Sequence, residues 1–372
     1  MSTVFLPLHP KQRITFMIDH LRPDGTQRFL RQVVAGLAAR GHWVGVVVLN
    51  DSYDAQVLAE LRAVAEVRII GLRALALGYG LVAIGVWLRA RQVQTLVTLL
   101  FASDLIGRPL ARVAGILRLI SSIRARNTNY RWWQRWLLRL SMPLADRVVL
   151  NGASVRDFAI AEEGVRAAQL LVIPNGIEAE RYTAPMDRTV LRHELGLPAT
   201  AVVWGAVGRL THQKGFDLLV RAWAQLRTSD VYLVIFGQGE EQQVLQQAIE
   251  QLGLQGRVLL AGQRRDLEQV LGALDGYVHP ARFEGMPNAL LEAMAAGLPI
   301  VASRVDGNCE LLTDTTGILV PPEQAEALAR AIQQLLDQPE YARQLAQAAQ
   351  QRAQEVFGLE AMVAAWEQVV KE

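Results

Sequence analysis

Two short segments in the second half of the chain gather residue types that handle phosphates and hydroxyls. In Gly208-Arg209-Leu210-Thr211-His212-Gln213-Lys214-Gly215-Phe216-Asp217, a glycine-flanked turn after an apolar run presents two cations five residues apart. Arg209 could fork two phosphate oxygens and Lys214 could serve as a mobile point charge. The dipole of a helix opening near Phe216 would add to both, and together they describe a diphosphate site. In Glu284-Gly285-Met286-Pro287-Asn288-Ala289-Leu290-Leu291-Glu292, Pro287 suits the first position of a helix. Glu284 then lies in the loop before that helix and Glu292 on its second turn, so the two carboxylates meet different parts of one ligand. Glu292 could accept from the vicinal hydroxyls of a ribose and Glu284 from hydroxyls of a sugar. The backbone amides of Gly285 to Asn288 open at the helix start could take phosphate oxygens. Carboxylate pairs on helices are common and usually solvated, so the two segments carry weight together, not singly.

Elements able to position these loops recur along the chain. In the first half, Ile14–Ile18, Val44–Leu49, Thr95–Phe101, Val148–Leu150 and Leu170–Ile173 are strand-length apolar runs, and Phe29, Leu30, Val33, Val34 and Leu37 mark an amphipathic helix over Gln27–Arg40. The pattern restarts with Val202–Val207, Tyr232–Phe236, Val258–Leu260, Tyr277–Val278, Ile300–Ala302 and Ile318–Val320, with helices such as Asp217–Leu226 and Asn288–Ala296 between them. Strand, helix, strand implies parallel sheets, here two Rossmann-like doubly wound domains. Ligands of such sheets bind outside the carboxyl ends of the strands, which makes the groove between two facing domains the natural site. The polar stretch from Glu178 to Leu197 is a linker with a short helix. It sets expected domains of 1–180 and 181–355, followed by a terminal segment 356–372 with a helix over Leu359–Lys371. A nicotinamide-type G-x-G-x-x-G fingerprint is missing after the first strand.

Composition narrows the class. The chain has 372 residues, 51% hydrophobic and 20% charged, which suits two folded domains and excludes disorder. The single Cys309 excludes an intramolecular disulfide. No signal-peptide pattern opens the sequence, so a cytoplasmic location is expected. The charge-free stretch between Arg73 and Arg89 is fifteen residues long, short for a bilayer span. A net charge of +2 hides a polarity: residues 1–180 hold 22 Lys+Arg against 13 Asp+Glu, the remainder 16 against 23. Between Arg73 and Arg147, twelve arginines and two carboxylates are interleaved with Trp87, Trp132, Trp133 and Trp136. This mixture suits the anionic inner face of a membrane or a phosphorylated lipid, with a solvated helix face as the plainer reading. Nucleic acid is not expected as a partner, since no binding motif accompanies the charge.

Gly208-Arg209 with Lys214, the Glu284 to Glu292 pair, Asn175-Gly176-Ile177 and Gly317-Ile318-Leu319-Val320-Pro321-Pro322 together resemble the retaining glycosyltransferases of family 4. The resemblance covers most of the chain and is strongest from Ile173 to Pro322. It implies a GT-B fold, a nucleotide diphosphate sugar as donor, retention of configuration and no metal or other cofactor. It further implies that Arg209 and Lys214 hold the diphosphate, Glu292 the ribose and Glu284 the donor sugar, with Glu284, Arg209 and Lys214 as the catalytic set. Gly285, Met286, Pro287 and Asn288 then complete the donor site. The family's terminal helix often crosses back to the first domain, which would suit Leu359–Lys371. Independently of the resemblance, no Asp-x-Asp triplet that could bridge phosphates through a divalent ion occurs in the sequence.

Two departures stand out. Many members carry a histidine after the strand that here reads Thr95-Leu96-Val97-Thr98-Leu99-Leu100-Phe101-Ala102-Ser103-Asp104; this chain has none, and Asp104 or His20 is the substitute to consider. The glycine pair of the first loop reads Asp24-Gly25, with Gly25 retained as a donor contact and Asp24 needing Arg22 or Arg28 to neutralise it. Arg264 and Arg265 follow a strand where members line the base pocket, and Arg265 is expected to touch the base. His279 could touch the donor sugar or cap a strand, while His42 and His193 read as surface or helix positions. The expected activity is transfer of a hexose from a nucleotide sugar bound by the second domain to a glycan or lipid-linked acceptor held by the basic first domain. Its rivals are a non-catalytic nucleotide-binding subunit and a sugar-nucleotide epimerase.

Overall fold

A computed structural model describes residues 11–22, 25–127, 130–182, 186–228 and 230–372. The chain forms two compact units, Met1–Gly176 together with Leu359–Glu372, and Ile177–Gly358. The division thus falls between Gly176 and Ile177, and Phe357 and Gly358 stay with the second unit.

The first unit is built on a parallel sheet of β1 (Arg13–Ile18), β2 (Trp43–Val48), β3 (Glu66–Ile69), β4 (Thr95–Leu99), β5 (Arg118–Ile123), β6 (Arg147–Leu150) and β7 (Leu170–Val172), in the order β3-β2-β1-β4-β5-β6-β7. The second carries β8 (Val202–Val207), β9 (Val231–Phe236), β10 (Val258–Gly262), β11 (Gly276–His279), β12 (Ile300–Ser303) and β13 (Ile318–Val320), ordered β10-β9-β8-β11-β12-β13. Strands such as β2 and β12 are buried along their whole length, as sheets covered by helices on both faces require. In each sheet the order reverses once, between β1 and β4 and between β8 and β11, and loops leaving those neighbouring strands flank a ligand crevice.

The terminal helix Leu359–Lys371 completes the first unit's core. Trp366 is fully buried there, its ring 5.3 Å from Phe29 and 6.3 Å from Phe16. Gly36 is needed beneath it, because a Cβ there would collide with Val363. His42, expected at a surface or helix position, is instead buried just before β2, with Nε2 3.0 Å from Glu367 Oε1 on this helix.

Two strands of the first unit are absent from the sequence reading. β3 alternates charge with apolar residues, and β5 is interrupted by Ser121 and Ser122. The Ser121 hydroxyl lies 3.0 Å from that of Thr98 and accepts from Arg108 Nε at 2.9 Å, so a buried polar network replaces apolar contact. The expected strand Thr95–Phe101 stops at Leu99, and a helix runs over Phe101–Ala114. Its first turn is held by Asp19, whose carboxylate accepts from Ala102 N at 2.9 Å and Ser103 N at 2.7 Å.

The charge-free stretch forms the helices Leu72–Ala76 and Tyr79–Ala90. Ile84, Trp87 and Leu88 of the latter face inward while Val82 and Val86 remain exposed. Trp87 therefore leaves the surface arginine and tryptophan group, its indole donating to Glu66 at 3.0 Å. Trp132 and Trp136, on the helix Trp132–Ser141, are 81% and 58% exposed. Among the described residues no helix is long and apolar enough to cross a membrane.

Candidate functional site

Pairing of β8 with β11 places the basic loop after β8 beside the loop after β11. The loops are stapled: Arg282 N donates to Gln213 O at 2.8 Å, Gln213 Nε2 to Phe283 O at 3.0 Å and Arg282 Nη1 to His212 O at 2.8 Å. Arg282 also pairs with Asp217 at 2.7 Å, in the first turn of the helix Phe216–Trp223. Gly215, at φ +67°, has its α-carbon against Pro280 O, and any side chain there would strike that carbonyl. A second close approach secures Glu284: a Cβ on Gly307 would collide with the carbonyls of Glu284 and Gly285.

These constraints create a short chain of buried polar groups. Lys214 Nζ is 2.5 Å from Glu284 Oε1, and His279 Nε2 is 3.1 Å from the same oxygen. Burial pushes the Glu284 carboxyl up, but the Lys214 ammonium and the His279 hydrogen bond outweigh it and hold the group down at about 2. Burial lowers the pKa of His279 more than Glu284 raises it. A neutral imidazole facing a carboxylate donates from Nε2, which leaves Nδ1 to accept from Tyr277 Oη at 3.4 Å. Burial, then Glu292, then Glu284 push the Tyr277 phenol well above its ordinary value, so both carboxylates act on one hydroxyl. Because Lys214 and His279 both use Oε1, Glu284 Oε2 has no partner among the described residues and is open to a ligand hydroxyl.

Glu292 lies on the helix Asn288–Ala295 and is 4% exposed. Pro287 is the residue just before this helix, one position earlier than the sequence implies. Gly285, Met286 and Pro287 form the turn between Glu284 and that helix, and Met286 is buried. Arg209 is exposed at the mouth of the basic loop, and its guanidinium has no partner among the described residues. Lys214 and Glu284 are thus brought together, Glu292 acts on the same Tyr277 as Glu284, and Arg209 stands exposed in the loop that carries Lys214.

Other candidates are placed differently. Arg264 is held by Glu194 at 2.8 Å and Asp266 at 2.6 Å, while Arg265 is exposed in the loop after β10. Gly25 opens the helix Gly25–Ala39 in the first unit, and Asp24 lies outside the described residues. Asp104, a possible substitute for the missing histidine, is engaged inside the fold: Thr98 Oγ1 donates to Oδ1 at 2.5 Å and Arg108 Nη2 sits 3.0 Å from Oδ2. His20 meets Gln27 Nε2 at 3.1 Å. His279, Tyr277 and Arg282 are the residues the sequence left without a clear role. Arg282 sits two residues before Glu284, and that proximity is the signal for it.

Comparison with known proteins identifies the family and the fold. The model "Glycosyl transferases group 1" matches residues 187–352, and "Glycosyltransferase Family 4" matches residues 23–181. A UDP-Gal:alpha-D-GlcNAc-diphosphoundecaprenol alpha-1,3-galactosyltransferase of Escherichia coli is 27% identical over 63% of this chain and 64% of its own length, just under two thirds of that enzyme. A lipopolysaccharide core biosynthesis mannosyltransferase of Rhizobium meliloti, LpsB, is 29% identical over 68% of this chain and 69% of its own. Among solved structures, the Anabaena protein Alr3699/HepE in complex with UDP superposes with a TM-score of 0.85 at 24% identity, covering 97% of this chain and all of that one, which shows the fold. With one model matching each unit, two parallel Rossmann-like sheets and the basic and acidic loops joined at the second sheet's switch point, the chain belongs to the family 4, group 1 glycosyltransferases of GT-B fold.

Proposed function

We propose that the chain transfers a hexose, with retention, from a nucleoside diphosphate sugar to a glycan or lipid-linked acceptor at the inner face of the membrane. The observation that carries this reading is the convergence of Lys214 and His279 on Glu284 Oε1, with buried Glu292 acting on the same Tyr277 as Glu284. In this reading Arg209 and Lys214 take the diphosphate and the amides of Gly285 to Asn288 support it. Glu292 accepts from the ribose, Glu284 Oε2 accepts from the sugar, and Arg265 faces the base. Growing negative charge on the leaving diphosphate is met by the two cations and the helix start, so no metal or cofactor is part of the reaction. The sugar leaves and the acceptor enters on the same face within an ion pair.

The named relatives support the donor class: the Escherichia coli enzyme uses UDP-Gal, and the Anabaena protein is seen with UDP and with UDP-glucose. Exposed Trp132 and Trp136 among Arg131, Arg135 and Arg139, together with Val82 and Val86, support peripheral contact with an anionic bilayer.

Calorimetric titration with UDP, GDP and ADP, followed by release assays with the matching sugar nucleotides, tests the reading. One nucleotide should bind preferentially and weaken on Glu292→Ala or Arg209→Ala, and sugar transfer should persist in excess EDTA. Unchanged affinity in both variants would remove the donor assignment. Binding without any sugar release, with and without acceptor extracts, would favour the non-catalytic subunit, and sugar interconversion without acceptor would favour the epimerase.

A further inference from the structure

Tyr277 and His279 are the residues of the second unit's site to which the donor reading gives no task. They stand two apart on β11, so both side chains leave the strand on one face, and their rings lie 6.2 Å apart and nearly parallel, at 17°. Both are buried, Tyr277 completely, and Pro280 follows at once. Packing alone would ask for apolar rings here, yet the hydroxyl and both imidazole nitrogens are engaged.

The bonds run in one direction. The Tyr277 hydroxyl accepts from the backbone amide of Val207, which turns its own proton toward His279 Nδ1, 3.4 Å away. With Nδ1 accepting, the ring proton sits on Nε2 and goes to Glu284 Oε1 at 3.1 Å. The close approach of Gly307 fixes the backbone of Glu284, so what remains to be set is the direction of its side chain, and that falls to the donors on Oε1.

There are two such donors, and they differ. Lys214 Nζ reaches Oε1 at 2.5 Å, but in the reading above it is also a cation for the diphosphate, and an ammonium drawn toward phosphate oxygens loosens its hold on the carboxylate. His279 has no second task and cannot swing away, because β11 is paired on both sides, with β8 and with β12. Burial keeps its ring neutral, so it fixes Oε1 without cancelling the charge, and Oε2 meets a hydroxyl with the full strength of a carboxylate.

We propose that His279 is a positioning residue for the donor sugar: it holds Glu284 Oε1 while Lys214 turns to the diphosphate, and so keeps Oε2 aimed at a sugar hydroxyl, with Tyr277 setting its tautomer. The proposal rests on the glycosyltransferase reading above. Full-length chain is titrated calorimetrically with UDP against UDP-glucose and UDP-galactose, and with GDP against GDP-mannose, and the pair that the unaltered chain binds is carried into the variants. His279→Leu, which keeps bulk and loses the donor, should weaken the sugar nucleotide by about tenfold while the affinity for its nucleoside diphosphate stays within about twofold. His279→Gln, which can bring an amide to the place of Nε2, should recover the sugar nucleotide to within about threefold of the unaltered chain. Should His279→Leu fail to fold, His279→Asn, polar but too short to reach Oε1, should show the same selective loss. Nitrogen-15 NMR of the imidazoles at pH 7, with the His279 signals identified by their disappearance in His279→Gln, should show the Nε2–H tautomer in the unaltered chain and a mixture in Tyr277→Phe. Leucine serving as well as glutamine, nucleotide and sugar nucleotide weakening together, or an Nδ1–H tautomer overturns the proposal and leaves the nucleotide reading standing. If the unaltered chain binds no nucleoside diphosphate, the donor reading itself fails before any variant is made, and the assigned role fails with it.

Discussion

The two units solve the problem of buried charge in opposite ways. In the second unit the buried charges around Glu284 are met from within: Lys214 faces Glu284, His279 braces the same oxygen, Arg282 locks onto Asp217, and Gly215 and Gly307 allow the close approach of the loops. In the first, Arg124, Ser122 and Glu163 are held in place with bonding capacity to spare. Self-sufficient charge makes a site rigid and general, which suits the diphosphate that the proposed reading places there. Unanswered polarity instead carries a desolvation cost, which shows as a stability that changes with pH.

The largest effect should come from breaking the self-sufficient side. Lys214→Ala strips the counter-charge from buried Glu284 and a cation from the diphosphate, and should lower transfer by roughly 100- to 1,000-fold in a sugar-release assay. The same pair should show in acid. Glu284 titrates below its ordinary 4.5, so its contribution to stability is complete above about pH 4.5 and disappears as the pH falls toward about 2; Glu284→Gln should flatten that decline in urea melts. Next in size, Gly215→Ala sets a side chain at positive φ against Pro280 O and should cost about 2–4 kcal/mol by denaturant unfolding.

The first unit should respond with the opposite sign. Glu163 titrates near 7, so the folded chain keeps a proton that the unfolded chain releases, and stability falls as pH rises from about 4.5 to about 7. Glu163→Gln should therefore raise stability at pH 8, by on the order of 2–3 kcal/mol, and do little at pH 4. If that variant is destabilised at pH 8, the contrast between the units fails. The smallest effect is expected at the surface. Replacing Trp132 and Trp136 together by Ser should weaken co-sedimentation with vesicles containing phosphatidylserine by about 5- to 30-fold while leaving UDP binding intact.

The same contrast governs what could be read from sequence. Strands β8 to β13 are visible as apolar runs, and the Glu284 to Glu292 spacing follows from a proline that opens a helix. β3 and β5 are not visible, because their polar residues look like loop until Thr98, Arg108 and Ser121 are seen bonding across the interior. Arg124 was legible only as one of twelve arginines, and neither its stacking on Phe29 nor its bond to Asn175 leaves any mark in spacing. His42 misleads for a similar reason: its partner, Glu367, is 325 residues away.

That distance has a bearing on how the protein is made. Trp366, Val363 and Val370 fill the first unit's core, yet in the chain they follow the whole of the second unit. The stretch Ile177–Gly358 is uninterrupted and can fold as soon as it emerges, whereas the first unit must wait, with the Phe29 and Phe16 surface uncovered, until Leu359–Lys371 has been made. Synthesis order and folding order are therefore inverted, and the unit begun first is the one finished last.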